Sequence, residues 1–163
     1  MKAYFAGGCF WCITPVFREL TGVLGVVSGY CGGHEADPSY EDVKSQITGH
    51  RETLEITYDA SKLDFDKLMR IYLANVDPYD SGGQFIDRGH SYTLAVYYTD
   101  DHQRDISVTM IAELEAKSGK KVCIAVERFE VFYPAEEYHQ DYDLKNPEAF
   151  RRELVESGRV KES

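Results

Sequence analysis

Alternating and helically spaced apolar residues divide the chain into short strands and amphipathic helices. Residues 51–58 alternate as a half-buried strand does, with Leu54, Ile56 and Tyr58 on one face. After Asp64 the apolar residues that recur at helical spacing are Phe65, Leu68, Met69 and Tyr72. The two patterns predict a strand followed by a helix that packs one stripe on the sheet.

The other elements follow from the same signals and from helix caps. Strands are predicted over 2–6, 25–29, 92–98, 122–127 and 129–133. Ser39 and Asp42 resemble a capping box for a short helix, a second helix runs from near Asp101 to a stop at Gly119, and a last one is framed by Asn146, Pro147 and Gly158. Since proline is tolerated only in a first turn, Pro15 predicts a helix from about Trp11 or Cys12 to Leu20.

The order of these elements predicts the fold class. Apart from the short helix, the first hundred residues read β-α-β-β-α-β, the split βαβ or ferredoxin-like unit. We expect an α+β fold, an antiparallel or mixed sheet with helices packed on it and a C-terminal extension. A length of 163 residues without repeats or linkers predicts one domain over 1–163, and we expect a monomer.

Composition narrows the partners. A formal net charge of −10 repels phosphate backbones and anionic lipid, so neither nucleic acid nor a membrane is an expected partner. No apolar run approaches the ~20 residues of a membrane span, and the N-terminus does not resemble a secretory signal. Four cysteines without an export signal indicate a reducing compartment, with the cytoplasm as the default.

The stretch "GGCFWC" is the first candidate for chemistry. Cys9 follows Gly7 and Gly8 at a predicted helix N-terminus, where unpaired N–H groups and the helix dipole lower a thiol pKa from about 8.5 toward neutrality. The rings of Phe10 and Trp11 could form the walls of a pocket for a small apolar group, and the alternative is that they pack in the core like other aromatic residues. Zinc is disfavoured because no second C-x-x-C and no matching histidine pair exist, and Cys9 lies too near the initiator for a lipoprotein signal. An inert buried cysteine and a thioredoxin-like dithiol of Cys9 and Cys12 stay open.

Glu52 is the second candidate. Counting by two from Leu54 places it on the apolar face of its strand, and burial raises a carboxyl pKa until the group can donate a proton near neutral pH. A buried Glu paired with a cation, a charge that reaches the surface and a wrong register are the alternatives.

Five blocks of sequence together resemble one family. They are "FAGGCFWC", "GYCGGH", "TGHRE" followed by "YD", "DPYDSGGQFIDRG" and "FYPAEEYHQDY". In this order and at these spacings, from about residue 4 to 147, the chain is similar to the type A peptide methionine sulfoxide reductases, which act on the S epimer.

The resemblance implies a role for each matching residue. Cys9 would be the nucleophile, and Glu52 the acid that protonates the sulfoxide oxygen. The residues implied around them are Tyr40 and Tyr92 as phenols that bind that oxygen, Phe10 and Trp11 as walls around the S-methyl group, and Asp87 and His139 as further pocket residues. The substrates implied are oxidised proteins or free methionine sulfoxide, and we expect no bound metal or other cofactor.

The chain departs from the family pattern in the cysteines that would reduce the oxidised nucleophile. The tail "VESGRVKES" lacks the resolving cysteines that many relatives carry there. Cys12 and Cys31 are the possible resolving residues, Cys123 suits the core, and direct reduction by external thioredoxin, glutaredoxin or glutathione is favoured over an internal disulfide. Thr14 stands where the family usually has Glu, and "GHSYTL" replaces a polar run around Tyr92.

Two other functions stay open at this point. A dithiol–disulfide oxidoreductase would need both Cys9 and Cys12 but not Glu52. A silent module that binds methionine-containing peptides would keep the pocket without turnover.

Overall fold

The computed structural model describes residues 1–159. The strands, in chain order, are β1 Lys2–Gly7, β2 Val23–Cys31, β3 Arg51–Tyr58, β4 Gly83–Gln84, β5 Asp87–Arg88, β6 Leu94–Tyr98, β7 Ile124–Arg128 and β8 Phe132–Pro134. The helices are α1 Phe10–Arg18, α2 Tyr40–Lys44, α3 Phe65–Ala74, α4 Asp101–Ser118, α5 Tyr142–Lys145 and α6 Pro147–Glu156. Two single-turn 3₁₀ helices cover His90–Tyr92 and Glu137–His139.

Six strands form one mixed sheet in the order β7-β6-β1-β3-β2-β8. Every neighbouring pair is antiparallel except β6 and β7, which run parallel. Strands β4 and β5 form a separate two-stranded hairpin. The prediction of an α+β fold with helices on a mixed sheet is therefore confirmed.

The two faces of the sheet carry different clusters. On one face, helices α1 and α3 cover a large apolar core that includes Phe5, Tyr30 and Leu54. The other face carries a smaller cluster that includes Cys31 and Tyr97. Because neighbouring residues of a strand point to opposite faces, adjacent positions on β2 and β3 enter different environments.

Local signals explain most element boundaries. The Ser39 side chain accepts the Asp42 N–H at 3.1 Å and the Asp42 carboxylate accepts the Ser39 N–H at 3.3 Å, so the predicted capping box is present. Gly119 ends α4 with a φ of 69°, a left-handed conformation that glycine adopts without strain. The helix framed by Asn146, Pro147 and Gly158 also forms as predicted.

Several element boundaries differ from the predictions. Helix α1 begins at Phe10, one or two residues early, so Pro15 lies inside it rather than in its first turn. The Thr14 hydroxyl donates to the Phe10 carbonyl at 2.6 Å, which pairs one backbone acceptor close to the proline. The strand expected from Tyr92 begins at Leu94, because a 3₁₀ turn precedes it. The last two strands lie about two to three residues later than predicted.

The segment after β8 is tied back onto β2. The Gln140 side chain accepts the Ser28 N–H at 2.9 Å and donates to the carbonyls of Ser28 at 2.9 Å and Ala135 at 3.1 Å. The Glu136 carboxylate accepts from the Tyr30 hydroxyl at 2.9 Å. These bonds bring a segment from the end of the chain beside α1.

None of the helices within residues 1–159 is both long and apolar enough to cross a bilayer.

Replacing Gln140 with leucine should loosen this attachment. The change leaves the Ser28 N–H and the Ala135 carbonyl without this partner, while the Ser28 carbonyl keeps the Ala135 N–H at 2.8 Å. We expect a cost of about 1–3 kcal/mol in the free energy of unfolding. Urea denaturation followed by circular dichroism measures the loss. Gln140→Glu places a carboxylate oxygen against the carbonyls of Ser28 and Ala135, so its loss should be at least as large at neutral pH and smaller at acidic pH, where the protonated carboxyl can donate again. A loss in Gln140→Glu that does not depend on pH would contradict this account.

Candidate active site

Cys9 lies in the turn between β1 and α1. It is the N-cap residue of α1 and its side chain is buried, with 8% of its surface exposed. Gly8 precedes it with a φ of +85°, a conformation that a residue with a Cβ adopts only with strain. The strand, the glycine turn and the helix start together hold the thiol at one end of the sheet.

Glu52 approaches the same helix start from β3. It pairs with Tyr30 in the β2–β3 register, is 2% exposed, and accepts the Phe10 N–H on Oε1 at 3.1 Å. Burial raises the pKa of Glu52 to about 8, against the partial opposition of the Phe10 N–H. At neutral pH the carboxyl is therefore largely protonated and can donate a proton.

Two phenols adjoin this carboxyl. Tyr40 begins α2, and Tyr92 ends the 3₁₀ turn before β6. Burial raises the pKa of each, and the charges of Glu52 and Cys9 raise both further, which locates the phenols close to the acid and the thiol. Both phenols stay protonated and can donate hydrogen bonds.

The thiols of Cys9 and Cys12 perturb each other more than any other group perturbs either. Cys12 and burial raise the pKa of Cys9 well above its ordinary value, and Glu52 and Asp87 add to the rise. The partner thiol lowers the pKa of Cys12, and Arg159 contributes. The sequence predicts a lowered pKa for Cys9 at the helix N-terminus, whereas in the structure the Cys12 thiol and then burial raise the pKa of Cys9.

Asp87 lies at the start of β5 in the short hairpin. It is half-buried, and burial raises its pKa while Arg159 opposes the rise. The buried amide of Gln84 holds the hairpin, since it accepts the Asp77 N–H at 2.8 Å and donates to the Asp77 carbonyl at 2.9 Å.

Aromatic side chains surround the thiol on the other side. Phe10 is buried and its ring lies 5.2 Å from the His139 ring, centre to centre. The Trp11 indole donates from Nε1 to Nδ1 of His139 at 3.0 Å and stacks on Tyr142 at 4.0 Å. The site thus joins a thiol, a protonated carboxyl and two phenols beside an aromatic wall.

Comparisons with known proteins agree with this chemistry. The family model described as peptide methionine sulfoxide reductase matches residues 1–162. The peptide methionine sulfoxide reductase MsrA of Bacillus licheniformis is 48% identical over 96% of this chain and 88% of its own length.

The chain belongs to the peptide methionine sulfoxide reductase family.

Solved structures extend the match to the fold. Mxr1 of Saccharomyces cerevisiae in reduced form superposes with a TM-score of 0.85 at 28% identity, covering 90% of this chain and 86% of that one. Mxr1 in complex with Trx2 is 19% identical with a TM-score of 0.59 over 87% of this chain and 84% of that one, and shows likeness of fold alone. This reductase is therefore an MsrA-type enzyme, an oxidoreductase, by its family and by its fold.

Not all cysteines of this reductase come together. Cys31 pairs with Arg51 while its neighbour Tyr30 pairs with Glu52, so Cys31 faces the opposite side of the sheet from the carboxyl. Its Sγ donates to the Val131 carbonyl at 3.2 Å, and burial raises the pKa of Cys31 to about 12.

Cys123 also lies apart. It precedes β7 and is half-buried, with Sγ 3.6 Å from the Tyr79 carbonyl, so the expectation of a core strand residue is wrong. The Thr14 side chain is buried on α1, and its hydroxyl lies 3.5 Å from the Ser28 hydroxyl.

Three residues of the site were given no role from the sequence, although Glu136 and Tyr142 lie in the block "FYPAEEYHQDY". Tyr142 stacks on Trp11, Glu136 accepts the Tyr40 N–H at 3.0 Å, and Arg159 donates to the Gly7 carbonyl at 3.1 Å. All three come from the C-terminal third of the chain, and the fold brings them to α1, α2 and β1 respectively. Within residues 1–159, no group of three or more His, Cys, Asp or Glu side chains is arranged to hold a metal ion.

The raised pKa of Glu52 predicts a pH-dependent stability. Between about pH 4.5 and 8 the folded protein keeps a proton that the unfolded chain has lost, so rising pH lowers the free energy of unfolding. Glu52→Gln removes this dependence, and the variant should gain stability relative to the wild type by at most about 1.4 kcal/mol per pH unit across that range. Urea denaturation at half-unit pH intervals measures the difference.

The exposed Glu148 provides the control for that measurement. Glu148→Gln should follow the wild type at every pH. A Glu52→Gln curve parallel to the wild type would contradict a protonated Glu52.

Proposed function

We propose that this reductase converts the S epimer of methionine sulfoxide, free or in oxidised proteins, to methionine through a sulfenic acid on Cys9, with Glu52 as the proton donor. The protonated Glu52, bonded to the N-terminus of the helix that carries Cys9, is the observation on which the proposal rests. A carboxyl with a pKa near the working pH is suited to general acid catalysis.

The atoms and electrons balance in the first step. The Cys9 sulfur attacks the sulfoxide sulfur and forms an S–S bond. The protonated oxygen then passes from the methionine sulfur to the Cys9 sulfur, so that the S–O bond to methionine and the transient S–S bond both break, methionine leaves, and Cys9 ends as Cys–SOH. Methionine sulfur is reduced by two electrons and Cys9 is oxidised by two. Glu52 protonates the oxygen, and the proton of the Cys9 thiol restores the acid. Tyr40 and Tyr92 donate hydrogen bonds to the polarised oxygen.

The aromatic wall supplies recognition of the substrate. Phe10 and Trp11 would enclose the S-methyl group, which prefers an apolar environment. Asp87, half-buried with a raised pKa, would line the polar side of the pocket. An epimer with methyl and oxygen exchanged would direct its oxygen at the indole and lose the phenols, which supports a preference for one epimer, and the family resemblance implies that it is the S epimer.

Recycling would proceed through Cys12 and an external dithiol. The mutual perturbation of Cys9 and Cys12, one turn apart on α1, supports attack of the Cys12 thiol on the sulfenic acid to give a disulfide and water. Cys31, on the other face of the sheet, is the weaker candidate. Mxr1 has been captured with Trx2, which supports a thioredoxin as the reductant here, with glutaredoxin or glutathione as alternatives.

The proposal includes the finer features of the fold and setting. Strands β6-β1-β3-β2 have the order and antiparallel pairing of a ferredoxin-like split βαβ core. We propose one reductase domain over 1–163, a monomer, acting in the cytoplasm, where thiol reductants are available.

Separate epimers of methionine sulfoxide test the reaction. With dithiothreitol as reductant, the wild type should form methionine from the S epimer only. Cys9→Ser should abolish turnover, and Glu52→Gln should lower it by about 10²–10⁴-fold, the usual contribution of a general acid. Chromatography of the methionine formed measures each rate.

The outcome also separates the competing functions. A dithiol–disulfide oxidoreductase would show no turnover of either epimer and full disulfide exchange with Glu52→Gln. A silent peptide binder would bind the sulfoxide without producing methionine. Turnover of both epimers at equal rates would contradict the stereochemical part of the proposal.

Mass spectrometry after a single turnover tests the recycling step. Reduced wild type given one equivalent of the S epimer and no reductant should lose two hydrogens, with Cys9 and Cys12 joined in one peptide after digestion. Cys12→Ser should instead gain one oxygen on Cys9, because no partner thiol is left. Cys31→Ser is the matched control and should still lose two hydrogens; an added oxygen in the wild type would contradict an internal disulfide.

A further inference from the structure

The Trp11 indole makes one side-chain hydrogen bond and stacks against the rings of Tyr142, His139 and Tyr40. Its Nε1–H donates to Nδ1 of His139 at 3.0 Å, across 128 residues of sequence. Its ring stacks on Tyr142 at 4.0 Å with an angle of 12°. Stacking allows a ring to slide and turn in its plane, whereas a hydrogen bond at Nε1 fixes the rotation. The position of the indole therefore depends on His139.

The bond defines the tautomer of His139. An indole N–H can only donate, so Nδ1 must be unprotonated and the single ring proton resides on Nε2. His139 is 1% exposed, and its Nε2 has no hydrogen-bond partner among residues 1–159. Burial lowers the pKa of His139, so the neutral form that can accept from the indole persists.

The imidazole is itself fixed in place. Its ring packs 4.3 Å from Tyr40 and 4.0 Å from Tyr138. Its backbone N–H donates to the Glu136 carbonyl at 3.0 Å, and the Glu136 carboxylate accepts the Tyr40 N–H at 3.0 Å. The acceptor for the indole is thus anchored to the helix that carries one of the two phenols.

We propose that His139 is a positioning residue, which fixes the Trp11 indole through Nδ1 and thereby sets the affinity of the pocket for the sulfoxide. The inference rests on the proposed function, in which Trp11 encloses the S-methyl group. In this role His139 makes no hydrogen bond to the substrate. Its Nδ1 already accepts from the indole, and its Nε2 is buried.

Loss of the acceptor should weaken binding rather than slow the chemistry. An unpaired indole N–H gains by turning toward water, and the wall of the pocket turns with it. Cys9, Glu52 and Tyr92 keep their own contacts, and an aromatic replacement of His139 keeps a ring against Tyr40. An interaction made equally in the bound substrate and in the transition state raises KM when it is removed and leaves kcat nearly unchanged.

Trp11 is the only tryptophan, so its indole gives one unambiguous signal in a ¹H–¹⁵N spectrum. In His139→Phe, which keeps a ring but no acceptor, this signal should shift upfield and exchange faster with water. Single-turnover reduction of N-acetyl-methionine-S-sulfoxide should show a KM raised about five- to tenfold and a maximal rate within about twofold of wild type. His139→Asn presents an oxygen where Nδ1 lies and should restore much of both readouts.

The controls separate this inference from the function on which it rests. His102→Phe makes the same change at an exposed position on α4 and should match the wild type in both readouts. If His139→Phe does not fold, His139→Leu serves as a smaller apolar replacement. An unshifted indole signal with an unchanged KM would overturn the inference, as would a loss confined to kcat. A wild type that forms no methionine would instead overturn the proposed function.

Discussion

The hydrogen bond from the Phe10 N–H to the Glu52 carboxyl is the interaction on which the site depends. It joins the middle of the sheet to the first turn of α1 and satisfies a backbone donor that a helix N-terminus would otherwise leave unpaired. The same contact buries an acid, which the protein tolerates because the group keeps its proton. The Glu52 carboxyl thus both connects the sheet to α1 and holds a proton that it can donate.

The position of Cys31 on β2 determines which face of the sheet its side chain lies on. Tyr30 and Glu52 face α1, while Cys31 and Arg51 face the opposite side. There the Arg51 guanidinium donates to the Thr93 hydroxyl at 2.8 Å and to the Tyr97 hydroxyl at 3.0 Å, in a polar network with no link to the thiol pair. Cys9 and Cys31 are both buried, so burial does not show which of them belongs to the site. Cys31 is separated from Glu52 because it lies on the opposite face of the sheet.

Sequence patterns predict those features that depend on residues close together in the chain. Alternation from Leu54 finds the buried Glu52, and the capping box and Gly119 give helix ends, because each depends on a few adjacent residues. Periodicity does not reveal the direction of the Cys9 pKa shift, which depends on the Cys12 thiol, on burial and on Glu52 and Asp87 from β3 and β5. The chain has twelve tyrosines, and nothing in the sequence pattern marks Tyr40 and Tyr92 as the phenols of the site or Tyr142 as the stacking partner of Trp11. Their roles depend on tertiary packing.

The closure of the site by the end of the chain has a consequence for synthesis on the ribosome. The contacts from α1 and β1 reach residues 139, 143 and 159, across 128, 125 and 152 positions. A nascent chain can therefore complete β1, α1 and their central strands while Cys9 still lacks its covering segment. During that interval Trp11 and Arg18 lack their partners, so the aromatic wall of the site is completed only when residues 139–143 have been synthesised.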